Sequence, residues 1–240
     1  MRLEGKVALV VGAGGGMGTA VPALFAREGA KVVVAARREG PLRELVAAIQ
    51  IRGGTAAWAT GDGTTPEGAA SIVEQTLRQF GRLDVLYTNL GDYAFGDHRS
   101  HETTPAEWDY LLALNLSGHF HCARAAMPEL LRHGGSVVFV AATQAVYRGA
   151  NSGYAAGKAG LIALTKTMAR QYRTDNVRVN CICPGSIGGS QGDSDFAPPP
   201  AGLNRSAHPA DVACAALYFA SDESVWVTGQ ALDIDGGQGL

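Results

Sequence analysis

Short, continuously apolar runs alternate with longer segments of helical periodicity along this chain. The apolar runs predict strands, and the periodic segments predict helices. The predicted strands are Val7–Val11, Lys31–Ala36, Thr55–Ala59, Leu83–Tyr87, Ser136–Val140, Val177–Ile182 and Ala231–Ile234. The predicted helices are Met17–Glu28, Leu42–Ile51, Ala69–Phe80, Pro105–Leu131, Ser152–Tyr172 and Pro209–Ala220. Because the strands are apolar on both faces, we expect an α/β fold: a Rossmann-type, doubly wound parallel sheet of about seven strands, with helices on both faces.

Three features interrupt this alternation. Pro22 predicts a bend in the first helix, and Pro128 predicts a bend or an end in the long fourth helix. The segment 188–207 has no helical or strand period and contains three consecutive prolines. A long irregular segment inside a compact domain is usually functional, so this segment predicts a substrate loop over an open pocket.

Composition and length exclude several classes of protein. The 240 residues, 46% hydrophobic and 18% charged, predict one domain over residues 1–240 with a sizeable core. The net charge of −2 and the lack of a basic cluster exclude nucleic acid as an expected partner. The N-terminal sequence has no apolar stretch long enough for a signal peptide or a membrane span, which predicts a cytoplasmic protein without a membrane partner. Cys122, Cys181, Cys183 and Cys214 lack zinc-site spacing and predict buried, reduced thiols and no metal site.

A glycine-rich turn follows the first predicted strand and opens the first predicted helix at Met17. Its glycines are Gly12, Gly14, Gly15, Gly16 and Gly18. Backbone without a Cβ can approach a pyrophosphate closely, and a helix N-terminus supplies N–H donors and a positive dipole end. Because the turn joins a strand to a helix, it predicts a dinucleotide phosphate site that includes Met17.

Tyr154 and Lys158 stand four residues apart on the predicted helix Ser152–Tyr172, so they share one face. This Y-x-x-x-K pair, the G-x-x-x-G-x-G turn and the segment 208–237 resemble the short-chain dehydrogenase/reductase family. The resemblance spans the chain from Gly5 to Gly237. It implies an NAD(P)(H)-dependent oxidoreductase that moves a hydride between nicotinamide and a small-molecule secondary alcohol or ketone.

The family pattern implies roles for three catalytic side chains. A phenol has a reference pKa of about 10, and a nearby ammonium and a cationic nicotinamide ring favour its phenolate form. Tyr154 is therefore the expected acid and base, and Lys158 is expected to lower the pKa of Tyr154 and to hold the nicotinamide ribose. Asn115 resembles the family's helix asparagine that organises a water chain from Lys158.

Further positions resemble the family's cofactor contacts. The expected contacts on the adenosine side are Asp62, Gly63, Asn89 and Gly91, and those at the nicotinamide amide are Pro184, Gly185 and Ile187. Thr88 replaces the first asparagine of the family's N-N-A-G, which steadies the central sheet. Gly189 stands where relatives have a threonine, with Ser190 beside it.

The second predicted strand ends in Arg37 and Arg38, without a preceding acid. In a dinucleotide fold an acid at this point binds the ribose 2′-hydroxyl, whereas a basic residue favours the 2′-phosphate. Arg37 can pair with a phosphate through two parallel hydrogen bonds, so the sequence favours NADP(H). Gly15 stands where NADP-preferring relatives often have a basic residue, which leaves NAD as an alternative.

The family's substrate-orienting serine is missing, because its positions are Ala141 and Ala142. Loss of one such donor typically costs about 10²–10³ in rate. Three explanations stay open: Thr143 or Gln144 replaces the serine, the enzyme is slow, or the physiological reaction differs. The main alternative function is a dinucleotide-binding protein with weak or no redox activity, and dehydration or epimerisation on the same platform is a third.

Substrate identity and assembly are less constrained. Gln144 and Tyr147 are the expected substrate contacts, together with the segment 188–207. Relatives commonly form tetramers through two long helices and the last strand, so the resemblance implies a homotetramer or a homodimer. Apolar faces on 111–131 and 161–172 are compatible with such burial.

Overall fold

The computed structural model describes residues 1–96, 98–187 and 197–240. Seven strands form one parallel sheet in the order β3-β2-β1-β4-β5-β6-β7. They are β1 (Val7–Val11), β2 (Lys31–Ala36), β3 (Thr55–Thr60), β4 (Val85–Thr88), β5 (Gly135–Val140), β6 (Val177–Pro184) and β7 (Ala231–Ile234). The predicted Rossmann-type α/β fold is confirmed.

Eight α-helices connect and cover these strands in the described residues. They are α1 (Met17–Arg27), α2 (Glu39–Ile51), α3 (Pro66–Phe80), α4 (Pro105–Leu112), α5 (Gly118–His133), α6 (Gln144–Arg148), α7 (Ser152–Tyr172) and α8 (Pro209–Ala220). Short 3-10 turns follow α7 at Arg173–Asp175 and α8 at Asp222–Ser224.

The continuous apolar character of the strands reflects burial on both faces of the sheet. Alternate residues of β1 enter opposite layers, with Val10 in one core cluster and Leu9 in the other. The neighbouring strand β2 repeats this division with Val34 and Val33. Burying a side chain of this size contributes about 1.5–3 kcal/mol, so the two layers together hold the sheet between its helices.

The strand order reverses beside β1, whose neighbours are β2 on one side and β4 on the other. At such a switch point the connections diverge and leave a crevice at the carboxyl ends of the strands. The Asn89 N–H donates to the Val11 carbonyl over 2.8 Å and joins the chain after β4 to the end of β1. The crevice therefore opens where the glycine turn begins.

The long helix predicted over Pro105–Leu131 is divided. Helix α4 leads into a π-helical segment, Ala113–Ser117, and α5 then continues to His133. The helix does not end at Pro128, which lies inside α5. Pro22 likewise lies inside α1, which continues to Arg27. The irregularity thus falls at the π segment, a feature that often marks functional sites.

Other differences are local. The short helix α6 was not predicted, and Cys214 is exposed rather than buried because it lies on the outer face of α8, whereas the other three thiols are buried. All four cysteines are free.

Part of the predicted substrate loop, residues 188–196, lies outside the described residues. The prediction at Gly189 and Ser190 falls in this part. Residues 197–207 are irregular. No described helix is long and apolar enough to cross a bilayer.

Candidate active site

Two positions of the glycine turn cannot carry a side chain. Gly12 has φ +90°, and a Cβ there would lie 2.3 Å from the carbonyl oxygen of Asn89. A Cβ on Gly18 would lie 2.4 Å from the carbonyl oxygen of Gly12. Glycine is required at both positions because the turn packs against the chain after β4 and against itself. No side chain caps the first turn of α1, and its Gly18 and Thr19 N–H groups donate to the carbonyls of Gly15 and Gly16, over 2.9 and 3.1 Å.

A cavity of about 240 Å³ adjoins this turn at the carboxyl ends of β1, β2 and β4. Its lining includes Gly12, Gly14, Arg37, Asp62, Gly63, Asn89 and Gly91. A Cβ built on Gly14, Gly15 or Gly16 would meet nothing within 4 Å, so the turn presents bare backbone to open space. A glycine cradle, a helix N-terminus and a cavity fit the adenosine and pyrophosphate portion of a dinucleotide.

Arg37 and Asp62 face each other across this cavity. The exposed Arg37 has no hydrogen bond or ion pair within the described parts of the chain. One carboxylate oxygen of Asp62 accepts from the Thr64 hydroxyl over 2.7 Å and from its N–H over 3.0 Å. These bonds, with a smaller contribution from Arg37, lower the pKa of Asp62. Arg37 is thus an unpaired cation beside the cavity, and Asp62 is an ionised acceptor there.

Helix α7 places Tyr154 in its first turn. The Asn151 side chain caps this helix and accepts from the Tyr154 N–H over 2.9 Å. The same side chain donates to the carbonyls of Ala94 and Gly96, at 2.9 and 3.2 Å. Asn151 therefore fixes the start of α7 against the loop after β4, which fixes the position of the Tyr154 backbone.

Lys158 lies one turn further along α7 and is 3% exposed. Its Nζ donates to the carbonyl oxygens of Leu90 and Val140, both at 3.0 Å. These carbonyls follow β4 and end β5, so the ammonium joins two neighbouring strand ends. Burial lowers the pKa of Lys158 to about 8, although Cys181 and Cys183 act in the opposite direction. Two strand ends therefore hold this amine in place.

Asn115 lies in the π segment and faces α7. Its side-chain amide donates to the carbonyls of Leu111 and Asp92, at 3.0 and 3.1 Å. Its Oδ1 is buried and finds no donor among the described residues. A Cβ on Gly91 would lie 2.9 Å from Lys158 Nζ and 3.0 Å from this Oδ1, so both polar atoms border the same space. An unpaired buried acceptor beside an ammonium is the environment that a bridging water satisfies.

Close packing of α7 on the π segment depends on glycine. A Cβ on Gly157 would lie 2.7 Å from Asn115 Cβ, and one on Gly153 would lie 2.8 Å from a Leu111 methyl group. These glycines sit one turn apart, and they directly precede Tyr154 and Lys158 in the sequence. They let the helix backbones approach, which brings Asn115 to the face that carries Lys158.

Tyr154 is half-buried and has an aromatic neighbour that sequence reasoning missed. The Tyr93 ring meets it edge-on, with centroids 5.5 Å apart and planes at 86°. The Tyr93 hydroxyl donates to the Gly149 carbonyl over 3.4 Å. Burial, and secondly Tyr93, raise the pKa of Tyr154, so its phenol is neutral at pH 7. The lowering of this pKa that the sequence predicted is not found, because burial and Tyr93, the two influences that shift it, both raise it.

The region of the missing serine lies directly after β5. Ala141 and Ala142 are buried, as is Thr143. Thr143 caps α6, and its Oγ1 accepts from the Val146 N–H over 3.4 Å. Of the two candidate replacements, Thr143 is enclosed beside β6, where its N–H donates to the Pro184 carbonyl over 3.0 Å, whereas Gln144 is exposed.

The remaining predicted residues lie around these groups. Tyr147 is half-buried on α6. Pro184 ends β6, and the Gly185 N–H donates to the Ile234 carbonyl over 3.0 Å. Ile187 bridges to Ala207 and packs on the core. The segment 184–187 thus leaves the carboxyl edge of the sheet on the side of Thr143, as a nicotinamide contact requires.

Comparison with known proteins identifies the family. A family model described as Enoyl-(Acyl carrier protein) reductase matches residues 12–238. The chain belongs to the short-chain dehydrogenase/reductase family. A 3-oxoacyl-[acyl-carrier-protein] reductase from Thermotoga maritima is 35% identical, over 99% of both chains. A 7alpha-hydroxysteroid dehydrogenase from Clostridium sardiniense is 34% identical, over 100% of this chain and 95% of that one.

Solved structures give the same result. A hydroxysteroid dehydrogenase from Escherichia coli superposes with a TM-score of 0.86 at 30% identity, covering 98% of this chain and 97% of that one. A short-chain type dehydrogenase/reductase from Mycobacterium marinum has the same TM-score at 29% identity, covering 98% and 95%. The general activity is therefore that of this family, NAD(P)-dependent oxidoreduction at CH–OH or ketone groups.

Proposed function

We propose that this short-chain dehydrogenase/reductase is an NADP(H)-dependent alcohol dehydrogenase or ketoreductase acting on a secondary alcohol or ketone. One observation carries the proposal. Lys158 Nζ is held by the Leu90 and Val140 carbonyls and lies 5.8 Å from the centre of the Tyr154 ring, and Leu90 also lines the cavity at the glycine turn. A phenol and a fixed ammonium at the mouth of a dinucleotide crevice suit proton transfer to or from an alcohol oxygen.

The proposed reduction has two parts. A reduced dinucleotide, when bound, would supply the hydride that forms the new C–H bond at the carbonyl carbon. Tyr154 donates its phenolic proton to the carbonyl oxygen, so the products are the secondary alcohol, the oxidised dinucleotide and a phenolate that regains a proton. The pKa of Tyr154 is raised by burial and by Tyr93, so the phenol holds this proton at neutral pH before the transfer.

Lys158 and Asn115 support this step in the proposal. The Lys158 ammonium stabilises the phenolate that remains after proton transfer and binds the nicotinamide ribose. The unpaired Oδ1 of Asn115 accepts from a water that returns a proton towards Lys158. Gly91 leaves room for both groups, because a Cβ there would lie within 3.0 Å of each.

NADP(H) is the proposed cofactor, with NAD(H) as the alternative. The support is Arg37, which follows β2, borders the adenosine cavity and makes no hydrogen bond or ion pair with the described residues. A guanidinium recognises a phosphate through two parallel hydrogen bonds, and no acid competes for it at the end of β2. Gly12, Gly16, Met17 and Gly18 form the pyrophosphate part of the proposed site.

Thr143 is the proposed replacement for the serine. Its hydroxyl oxygen accepts from Val146, so its proton is free to be donated to a substrate oxygen. It is enclosed at the carboxyl edge of the sheet, where a hydrogen bond to substrate is protected from water. Gln144 and Tyr147, on the neighbouring helix α6, are the proposed substrate contacts.

A second function is favoured by one observation, the buried alanines at positions 141 and 142. It is a dinucleotide-binding protein with little redox chemistry. Ala142→Ser separates the two proposals. A large gain of rate in an otherwise inert protein supports the second function, whereas an active wild type that gains little supports the first.

We also propose that the chain forms a homotetramer, with a homodimer as the smaller alternative. Large apolar side chains are exposed on α4 and α5 and near the C-terminus. They are Trp108, Tyr110, Phe120, Leu131, Tyr218, Trp226 and Leu232. Exposed apolar surface of this kind is typical of contacts between subunits. Light scattering of the purified protein measures the number of subunits.

The experiment is a cofactor titration followed by turnover. Purified protein is titrated with NADPH and with NADH, and the tighter complex is mixed with a panel of cyclic and linear ketones. Binding with turnover is expected, with NADPH preferred. Tight binding without turnover on any ketone, unchanged by Ala142→Ser, would overturn the proposed reaction.

A further inference from the structure

His119 lies on α5, fully buried at 0% exposure, and both of its ring nitrogens are occupied. Its Nδ1 lies 2.6 Å from the Thr88 hydroxyl, and its Nε2 lies 2.9 Å from the Leu90 carbonyl oxygen. Both partners belong to the segment that ends β4 and passes into the crevice. The imidazole of His119 therefore links α5 to the segment after β4, whose Leu90 carbonyl also binds Lys158.

The partners fix the protonation of His119. A carbonyl oxygen can only accept, so Nε2 must carry a proton and donate it to Leu90. The Thr88 hydroxyl can donate or accept, so it fits Nδ1 as an acceptor when the ring is neutral. Burial, and secondly Lys158, lower the pKa of His119 well below its usual range. His119 is thus a neutral Nε2–H imidazole that adds no positive charge beside the ammonium.

The Leu90 carbonyl oxygen has two donors. It accepts from His119 Nε2 over 2.9 Å and from Lys158 Nζ over 3.0 Å. One carbonyl thus connects the imidazole on α5 to the amine on α7. With one lone pair bonded to the ring, the carbonyl plane cannot rotate freely, and the direction of the other lone pair is fixed.

We propose that His119 is a positioning residue for Lys158: with Thr88, it orients the Leu90 carbonyl that holds the amine beside Tyr154. The inference rests on the proposed function only for its kinetic consequence. This role of His119 explains why Thr88 can replace the family's asparagine. The Thr88 hydroxyl fixes the imidazole of His119, and that imidazole in turn fixes the chain at Leu90. Sequence reasoning missed this role, since His119 is 31 residues from Thr88.

Packing alone does not account for this arrangement. The Phe139 ring on β5 meets His119 edge-on, with centroids 5.9 Å apart, and an apolar side chain could fill that contact. An apolar replacement would leave the Thr88 hydroxyl without its acceptor and the Leu90 carbonyl with one donor. Lys158 is the titratable group that faces His119, and Cys181 and Cys183 on β6 face Lys158 in turn. These neighbours are the same in every variant below.

The test compares two substitutions of similar size. His119→Gln keeps a donor and an acceptor on the side chain, whereas His119→Met has neither. Crystal structures are expected to show Lys158 Nζ bonded to the Leu90 carbonyl in the wild type and His119→Gln, and displaced from it in His119→Met. An unmoved Lys158 in His119→Met would overturn the proposal, whether or not the protein turns over any ketone.

Kinetics give the second readout. We expect His119→Met to lose about tenfold in kcat, less than the roughly 100-fold that a 1 Å misplacement can cost, and His119→Gln to recover most of it. In alcohol oxidation the apparent pKa of the base is expected to rise in His119→Met but not in His119→Gln, because only the first moves the ammonium that stabilises the Tyr154 phenolate. Equal losses in both variants, or an unchanged pH profile, would contradict a positioning role.

A second pair guards against a failure of folding. Thr88→Val removes the hydroxyl at nearly constant volume, and Thr88→Ser retains it. Thr88→Val is expected to reproduce the pH shift of His119→Met, and Thr88→Ser is expected to behave as the wild type. A wild type without turnover on any ketone would count against the proposed function, while the Lys158–Leu90 contact in the variants would still decide the role of His119.

Discussion

Lys158 Nζ lies over the ring of Tyr154, 5.8 Å from its centroid and one turn away on α7. The ammonium is fixed by strand-end carbonyls, whereas the phenol is fixed by its helix and by the edge of Tyr93. Their relative placement therefore depends on the sheet, on α7 and on the loop after β4 together. Changes at any of the three are expected to alter proton transfer.

Lys158→Met is expected to change how stability depends on pH. The pKa of Lys158 is about 8 in the folded protein, against an ordinary value of 10.5, so between these pH values the unfolded chain binds more protons. The free energy of unfolding of the wild type, relative to Lys158→Met, should therefore rise by up to about 3 kcal/mol as the pH increases from 8 to 10.5. Urea unfolding across this range measures it. A difference in the free energy of unfolding between the two proteins that stays constant over this pH range would contradict the lowered pKa of Lys158.

Arg37→Ala is expected to weaken NADPH binding by about 10- to 100-fold, because a phosphate loses a charge-assisted bidentate partner. NADH binding should be nearly unchanged, since NADH has no 2′-phosphate. Arg37→Lys keeps the charge without the planar fork and should lie between the two. Fluorescence titration with both cofactors measures these affinities. Equal weakening of NADPH and NADH binding would show that Arg37 does not bind the 2′-phosphate.

Thr143→Val should lower kcat by about 100-fold if its hydroxyl donates to the substrate oxygen. The same change removes the cap of α6 and should lower the free energy of unfolding by about 1 kcal/mol. Thr143→Ser keeps both functions and is the matched control. If Thr143→Val loses stability but no activity, Thr143 is a cap alone, and Gln144→Leu becomes the variant to assay.

Gly12→Ala and Gly14→Ala form a pair in the same turn. The first places a Cβ 2.3 Å from a backbone oxygen at φ +90°, so the free energy of unfolding should fall by at least about 2 kcal/mol. The second meets nothing within 4 Å and should change stability by less than about 0.5 kcal/mol. Thermal unfolding without cofactor compares the variants. Similar stabilities would contradict the close packing of the turn on Asn89.

The fold could be predicted from sequence because parallel strands buried on both faces are apolar throughout, as in β1 and β2. Most boundaries shifted by only a few residues. The π segment could not be predicted, because one turn of altered helix leaves no signal in the apolar period. The short helix α6 was missed because five residues carry too little periodicity for detection.

The candidate site was predictable where chemistry follows local spacing, as for Tyr154 and Lys158. Contacts between distant elements were not. In the sequence, His119 is indistinguishable from other residues of its helix. Its contacts with Thr88 and Leu90 form only because α5 packs against the end of β4. Tyr93 meets Tyr154 from a loop in which Phe95 adopts a positive φ of 71°, a conformation that is uncommon for a bulky residue.

The most direct test of the account compares wild-type protein with Tyr154→Phe in single-turnover reduction of a ketone by bound NADPH. Removing only the hydroxyl should leave cofactor affinity unchanged and slow the chemical step by about 10²–10⁴-fold, the usual contribution of a positioned proton donor. Undiminished turnover in Tyr154→Phe would contradict the account, because the proton would then come from another group.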